Sequence, residues 1–160
     1  MTQQIKAGPA GLGAITDRPQ LAPAYAIRVA GALLALAVAA VHVADQGGVT
    51  AFTSPDWLGW AYRLIEVGGI ATALALLLPR PAWPGWAAGA LLAAGPFIGY
   101  LASRTAGVPG DPGDVGNWGD WVGTVSLFLE AALLVLSAAM LLADRARPAP
   151  VAPVPVAPVA

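Results

Sequence analysis

Four long apolar segments dominate this chain of 160 residues, and each has the length of a membrane span. They cover residues 26–44, 58–78, 83–102 and 121–143. About 20 apolar residues cross a hydrocarbon core of roughly 30 Å, and a segment inside lipid must satisfy its own backbone hydrogen bonds. The sequence therefore predicts an all-α fold, a bundle of four transmembrane helices.

The composition agrees with a membrane protein and excludes several other classes. Hydrophobic residues make up 58% of the chain and charged residues 11%, with a mean hydropathy of +0.69. This composition predicts the lipid bilayer as a partner. The net charge is -1 and the basic residues are scattered, so we expect no binding of nucleic acid. The absence of cysteine excludes disulfides, thiolate metal sites and cysteine nucleophiles.

The placement of lysine and arginine predicts the orientation in the membrane. Cytoplasmic connections carry an excess of these residues. They cluster before the first span, between the second and third spans, and after the fourth, as Lys6, Arg18, Arg28, Arg80, Arg145 and Arg147. The connections 45–57 and 103–120 contain acids and only Arg104 as a base, so both termini are predicted to be cytoplasmic, in the plasma membrane.

Tryptophans at the starts of spans support the same frame, because indole rings favour the membrane interface. We therefore expect six interfacial anchors: Trp57, Trp60, Trp83, Trp86, Trp118 and Trp121.

Flanking segments differ from the spans in composition. Residues 1–25 show no apolar period and are predicted to be a disordered cytoplasmic segment. Residues 26–143 form the transmembrane domain, and 144–160 form a cytoplasmic tail rich in Ala, Pro and Val, for which polyproline II is expected. An alternative is that the first span is a cleaved signal sequence, with Val38-Ala39-Ala40 as the small-residue site.

Small residues at four-residue spacing predict close packing between the helices. The spacing occurs at Gly85 and Gly89, at Gly95 and Gly99, and at Gly31, Ala35 and Ala39. Interior Pro96 is expected to kink the third span. Partner membrane proteins, or a second copy in a homodimer, are the protein partners that such faces suit.

Ionisable residues inside the spans are the candidate functional residues, because each costs about 2.5 to 3.5 kcal/mol near the bilayer centre. With two neighbours at span ends they form one candidate polar cluster: His42, Asp45, Arg63, Glu66, Arg104 and Glu130. On the fourth span a single stripe, expected to face the bundle, contains Gly123, Ser126, Glu130 and Ser137.

Two interpretations of this cluster stay open. In the first it is an outward-facing pocket, with Glu66 and Glu130 as proton carriers or cation ligands and Asp45 orienting His42. Arg63 and Arg104 would then balance the charge. In the second it is packing: Arg63 pairs with Glu66, and a neutral Glu130 bonds to Ser126 or to a neighbouring helix. Arg104 then reaches the lipid head groups, and His42 lies at the membrane interface.

The connection before the fourth span repeats glycine at every third position from Gly107 to Gly119. Asp111, Asp114 and Asp120 follow the same period and suggest either a cation-binding loop or turns with an N-cap for the fourth span. The spacing does not match the ligand order of an EF-hand, which favours turns. Upstream, Ser54-Pro55 predicts an N-cap followed by proline at the first helical position.

The segment SRTAGVPG, with Glu130 beyond it, resembles a group of small, uncharacterised four-span integral membrane proteins of actinobacteria. In that group an S-R-T-x-G-L-P-G segment closes the third span and an acidic residue lies in the fourth. The matching residues are Ser103, Arg104, Thr105, Gly107, Pro109, Gly110 and Glu130, and Val108 replaces the usual leucine. The resemblance implies a four-span fold and a lineage but no activity.

Two hypotheses of function follow. The first is a small non-enzymatic accessory or assembly module of the membrane. The alternative is a transporter-like or redox-accessory protein that binds a cation or relays protons through His42, Glu66 and Glu130. A single histidine excludes bis-histidine haem ligation within one protomer, while metal and cofactor remain unknown. Because no nucleophile with an adjacent base is visible, an enzyme is less favoured.

Overall fold

The computed structural model describes residues 21–146, which form four helices and one short 3-10 turn. The elements are α1 (Leu21–Asp45), α2 (Asp56–Leu77), α3 (Trp83–Thr105), the turn Pro112–Asp114, and α4 (Trp121–Arg145). All four helices are long and apolar enough to cross a membrane. The chain is thus an all-helical, multi-pass membrane protein, as the apolar segments predicted. The predicted disordered segment up to residue 20 and the tail from 147 lie outside the described residues.

The helix boundaries differ from the predicted spans in ways that affect the site. Helix α1 begins at Leu21 rather than at residue 26, and α3 continues to Thr105, so the SRT residues are helical. The N-cap of α2 is Pro55, which forms no side-chain cap, so the expected Ser54 cap was wrong. The expected cap of α4 is confirmed, because the Asp120 carboxylate accepts a hydrogen bond from the Val122 N–H at 3.1 Å.

The four helices form a bundle. Helix α1 packs mainly on α2 and α4, and α3 packs mainly on α4 and α2. Helices α1 and α3 also contact each other across one diagonal, whereas the backbones of α2 and α4 do not approach each other across the other. We call the end with connections 46–55 and 106–120 the two-loop end. The opposite end, with connection 78–82, is the one-loop end.

Trp86 fills the core near the one-loop end. It packs with Ala32, Ala73 and Leu76, and its side chain is only 2% exposed. Gly31 makes room for it, since a Cβ there would lie 2.5 Å from the indole ring. The prediction of an interfacial anchor was therefore wrong for Trp86. The remaining five tryptophans have exposed fractions of 46–74%: Trp57, Trp60, Trp83, Trp118 and Trp121.

Arg28 joins α1 to the end of α2. Its guanidinium donates to the Leu78 carbonyl at 3.2 Å and to the Arg80 carbonyl at 3.1 Å. A cation at a helix C-terminus also interacts favourably with the helix dipole. Arg28 therefore stabilises the connection between α2 and α3.

Only some of the small residues serve close packing. A Cβ on Gly69 would lie 2.6 Å from the Ala35 carbonyl oxygen, and one on Gly89 would lie 2.8 Å from Ser137 Oγ. Gly95 and Gly99, by contrast, have no atom within 4 Å of such a Cβ. The glycine spacing therefore marks close packing at Gly89, but not at Gly95 and Gly99, which have open space beside them.

Candidate functional site

Helix α4 turns a narrow polar stripe toward the bundle. Its buried residues are Gly123, Ser126, Glu130, Leu133 and Ser137. This confirms the predicted inward stripe. Glu130 is 1% exposed, and its Oε1 accepts a hydrogen bond of 2.5 Å from the Ser126 hydroxyl one helical turn earlier.

His42 of α1 faces this carboxylate. Its Nε2 lies 3.6 Å from Glu130 Oε1, and its Nδ1 lies 2.8 Å from the Val38 carbonyl oxygen. A carbonyl only accepts, so Nδ1 carries a proton. In the neutral ring, Nε2 then presents a lone pair toward Glu130.

Asp45 does not orient His42, although the sequence suggested that role. The Val38 carbonyl holds the imidazole instead, and Asp45 accepts a hydrogen bond from the Tyr62 hydroxyl. The Tyr62 ring meets the imidazole edge-on, with centroids 5.3 Å apart. Tyr62 is thus a site residue that the sequence reasoning missed. The available signal was a polar aromatic residue inside the second span, four residues before Glu66.

Arg63 and Glu66 form a separate network with the 46–55 connection. Arg63 donates to Glu66 Oε2 at 2.6 Å and also to the Ala51 carbonyl. The other oxygen of Glu66 accepts a hydrogen bond from the Gln46 amide. Both Glu66 oxygens therefore have partners, and this network ties the connection to α2.

Arg104 of α3 clamps the 106–120 connection onto the bundle. Its side chain is 5% exposed and forms ion pairs with Asp114 and, at 3.1 Å, with Asp120. The guanidinium carbon also lies 4.6 Å from the centroid of the Tyr100 ring, a cation–π contact. The Gly116 N–H donates to the Arg104 carbonyl at 2.9 Å, so backbone and side chain both hold the connection.

This arrangement explains most of the SRT segment and the glycines that follow it. Gly107 and Gly110 have φ of 79° and 86°, a region that favours glycine.

Within residues 21–146 no group of three or more His, Asp or Glu side chains is placed to hold a metal ion. Two of the three loop aspartates considered for a cation, Asp114 and Asp120, bind Arg104 instead, while Asp111 lies beside Val108 in a turn.

A cavity of about 1040 Å³ brings many of these groups together. It lies between α2 and α3, extends from the 106–120 connection to Ala75 and Ala88, and includes residues of α1 and α4 in its lining. His42, Asp45, Arg104 and Glu130 line it, as do all three loop aspartates: Asp111, Asp114 and Asp120. Arg63 and Glu66 are not among its lining residues. The predicted cluster is therefore divided into a cavity and a separate network.

The cavity opens sideways toward lipid. Leu64 on α2 and Leu91 on α3 line its rim and are 73% and 76% exposed. Gly95, Pro96 and Gly99 form the α3 wall. The helix is continuous through Pro96, whose nitrogen has no hydrogen to donate to the Leu92 carbonyl. We call this opening between α2 and α3 the lateral seam.

Two lining residues carry buried polar atoms without a hydrogen-bond partner. They are Glu130 Oε2 and Arg104 Nε. Most buried polar groups are paired, and one that is not marks a cost of folding or a place for a ligand. The Glu130 oxygen is the more informative of the two, because Glu130 lines the cavity and an unpaired carboxylate oxygen accepts a hydrogen bond from any donor that reaches it.

Fold and site together define a four-helix integral membrane protein with a laterally open cavity, lined mostly by apolar residues and by a few ionisable ones. No protein-family model, no curated protein and no solved structure matches the chain.

Proposed function

We propose that this protein is a small non-enzymatic accessory module of the plasma membrane that binds an amphiphilic molecule in its cavity. The observation that carries the proposal is the unpaired Oε2 of buried Glu130 at the wall of a 1040 Å³ cavity. Ligand sites are typically apolar clefts of about 300 to 1,000 Å³ with a few placed polar groups. This cavity has that character.

The same proposal includes the orientation. Arg28, Arg80 and Arg145 belong to the one-loop end, and acidic residues dominate the two-loop end. By the positive-inside rule, the one-loop end and both termini are cytoplasmic. The acidic end of the cavity then lies on the outer side of the membrane, and its lateral seam admits molecules from the outer leaflet.

An amphiphile suits the shape of the cavity better than a fully polar solute does. The seam is apolar along α2 and α3, where Ala71, Ala75 and Ala88 line it. The four aspartates and Arg104 lie at the two-loop end, and Glu130 lies nine residues inside α4. A molecule with its polar group toward that end and its chain along the seam is oriented as a lipid in the same leaflet.

Photoaffinity labelling tests this proposal. The full chain in phosphatidylcholine vesicles is labelled with a dodecyl amphiphile that carries a diazirine in its chain, and the labelled residues are mapped by mass spectrometry. We expect saturable labelling around Leu64 and Leu91, which excess unlabelled amphiphile prevents. Leu33 on α1 and Val135 on α4 are comparably exposed controls outside the cavity. Equal, non-saturable labelling of all four positions would contradict a binding site.

A second candidate function is supported by the contact between His42 and Glu130. An imidazole nitrogen 3.6 Å from a buried carboxylate, both at the wall of the cavity, suits a proton relay. Proton movement is measured with the protein reconstituted in vesicles that contain a pH-sensitive dye. A relay requires proton movement that is lost in Glu130→Gln. Glu66→Gln serves as the comparison, because Glu66 lies outside the cavity. Unchanged movement in Glu130→Gln would exclude this candidate.

A further inference from the structure

The charges that line the cavity are mostly of one sign. Five carboxylates face it, from Asp45, Asp111, Asp114, Asp120 and Glu130, against the single guanidinium of Arg104. With all of them ionised and His42 neutral, five negative charges and one positive charge leave a formal charge of -4. Such a site attracts cations and repels anions.

Arg104 does not offer an anion site. Its guanidinium already forms ion pairs with Asp114 and Asp120 and covers the Tyr100 ring. Only its Nε lacks a partner. That single N–H lies in a cavity lined by five carboxylates, whose negative charge repels an anionic head group.

Glu130 offers the complementary feature. Its Oε1 is engaged by Ser126, whereas its Oε2 is unpaired although the residue is 1% exposed. An ionised carboxylate only accepts hydrogen bonds, and burying it without a donor is costly. A positively charged donor supplies the missing hydrogen bond and also compensates the buried negative charge.

We propose that the cavity selects an amphiphile whose head group is a protonated primary amine. This inference rests on the proposed binding function. The ammonium donates to Glu130 Oε2, with His42 Nε2 beside it as a second acceptor. The alkyl chain passes Gly95, where the lack of a side chain leaves room, and runs along the lateral seam toward Ala75 and Ala88.

Competition between three matched molecules tests the choice of head group. Dodecylamine, dodecanol and dodecanoate share one chain length and differ in charge. Each competes with the photoreactive amphiphile at Leu64 and Leu91, in the full chain in phosphatidylcholine vesicles at pH 7. Amounts are expressed per lipid, to correct for partition into the bilayer. We expect dodecylamine to be at least about tenfold more potent than either competitor, the range of one charge-assisted hydrogen bond.

Two isosteric variants locate the preference. Glu130→Gln keeps the size of the side chain and a partner for Ser126, and we expect it to abolish the preference for the amine. Asp56→Asn removes the same charge from an exposed residue at the same end and outside the cavity, so the preference should persist. The ranking in the unmodified protein decides the question even if Glu130→Gln fails to fold.

The outcomes separate this inference from the function on which it rests. Equal potency of the three competitors, a preference for dodecanoate, or an unchanged amine preference in Glu130→Gln would each overturn the inference while the cavity remained a binding site. If no competitor reduces labelling at the seam, the binding function itself fails.

Discussion

His42 Nε2 and Glu130 Oε1 lie 3.6 Å apart where α1 meets α4, and both side chains are more than nine-tenths buried. The distance is too long for a good hydrogen bond. His42 is held by the Val38 carbonyl and Glu130 by Ser126, so each side chain is positioned by its own helix. The pair is thus presented to the cavity rather than used to join the helices.

This arrangement predicts that Glu130 contributes little to stability. An unpaired buried acceptor costs about 1 to 3 kcal/mol, whereas replacing both partners of a buried pair by apolar groups of similar shape is nearly neutral or stabilising. In the double variant Ser126→Ala with Glu130→Met, we expect an unfolding free energy within about 1 kcal/mol of the original, or higher. Thermal unfolding in detergent measures it. A loss above about 2 kcal/mol would instead favour a packing role for Glu130.

Arg104 is predicted to be far more important for stability. Arg104→Ala removes the partner of Asp114 and Asp120, whose side chains are 32% and 27% exposed, so solvent compensates only part of the loss. We expect a loss of roughly 1 to 3 kcal/mol and faster proteolysis of the 106–120 connection. Arg104→Lys should recover only part, because an ammonium lacks the planar fork that contacts two carboxylates. Exposed Arg145→Ala is the control. Full stability in Arg104→Lys would argue against the clamp.

Two glycine variants with the same chemical change are predicted to act in opposite directions. In Gly69→Ala the new methyl group lies 2.6 Å from the Ala35 carbonyl, a backbone atom that cannot move away, so α1 and α2 must separate. We expect a loss of about 1 to 3 kcal/mol. Gly95→Ala meets nothing within 4 Å and removes a flexible residue from a helix, which favours a gain of about 0.5 to 1 kcal/mol. The unfolding free energies of both variants are measured under the same condition, and equal changes in the two would contradict the difference in packing.

Local patterns in the sequence were sufficient for the helices and for the inward face of α4. Length and apolar content determine a span, and the spacing of Ser126, Glu130 and Ser137 places three polar residues on one side of a helix. The N-cap at Asp120 was readable for the same reason, since its partner lies two residues away.

Contacts between residues that are far apart in the sequence could not be predicted from such local patterns. Trp86 looked like another interfacial tryptophan because nothing near it in the sequence reveals the space at Gly31. Gly95 and Gly99 have the same spacing as Gly85 and Gly89, yet only the latter pair meets a neighbouring helix. The cavity is lined by residues from all four helices and from both connections at the two-loop end, so no single stretch of the sequence indicates it.

The proposed orientation gives a direct prediction, because the chain contains no cysteine that would react in the background. Gly113→Cys places a thiol in open space on the 106–120 connection, and Pro81→Cys places one on the exposed 78–82 connection. In intact cells, a membrane-impermeant maleimide should label Gly113→Cys at once and Pro81→Cys only after permeabilisation. The reverse pattern would place both termini outside the cytoplasm.

The last prediction separates the shape of the cavity from its charge. Gly95→Leu adds an apolar side chain to the lateral seam and leaves every ionisable residue in place, and no atom lies within 4 Å of the new Cβ. The protein should therefore fold, while saturable labelling at Leu64 and Leu91 falls for amphiphiles of every head group.

Glu130→Gln leaves the space intact, so it should change the ranking of head groups without abolishing labelling. On the opposite side of the bundle, Leu33→Ala alters an exposed residue outside the cavity and is the control. If Gly95→Leu left labelling unchanged, the chain of the ligand would lie elsewhere, and the seam would be no part of the site. If both variants affected only the amine, charge at Glu130 rather than room in the seam would determine binding.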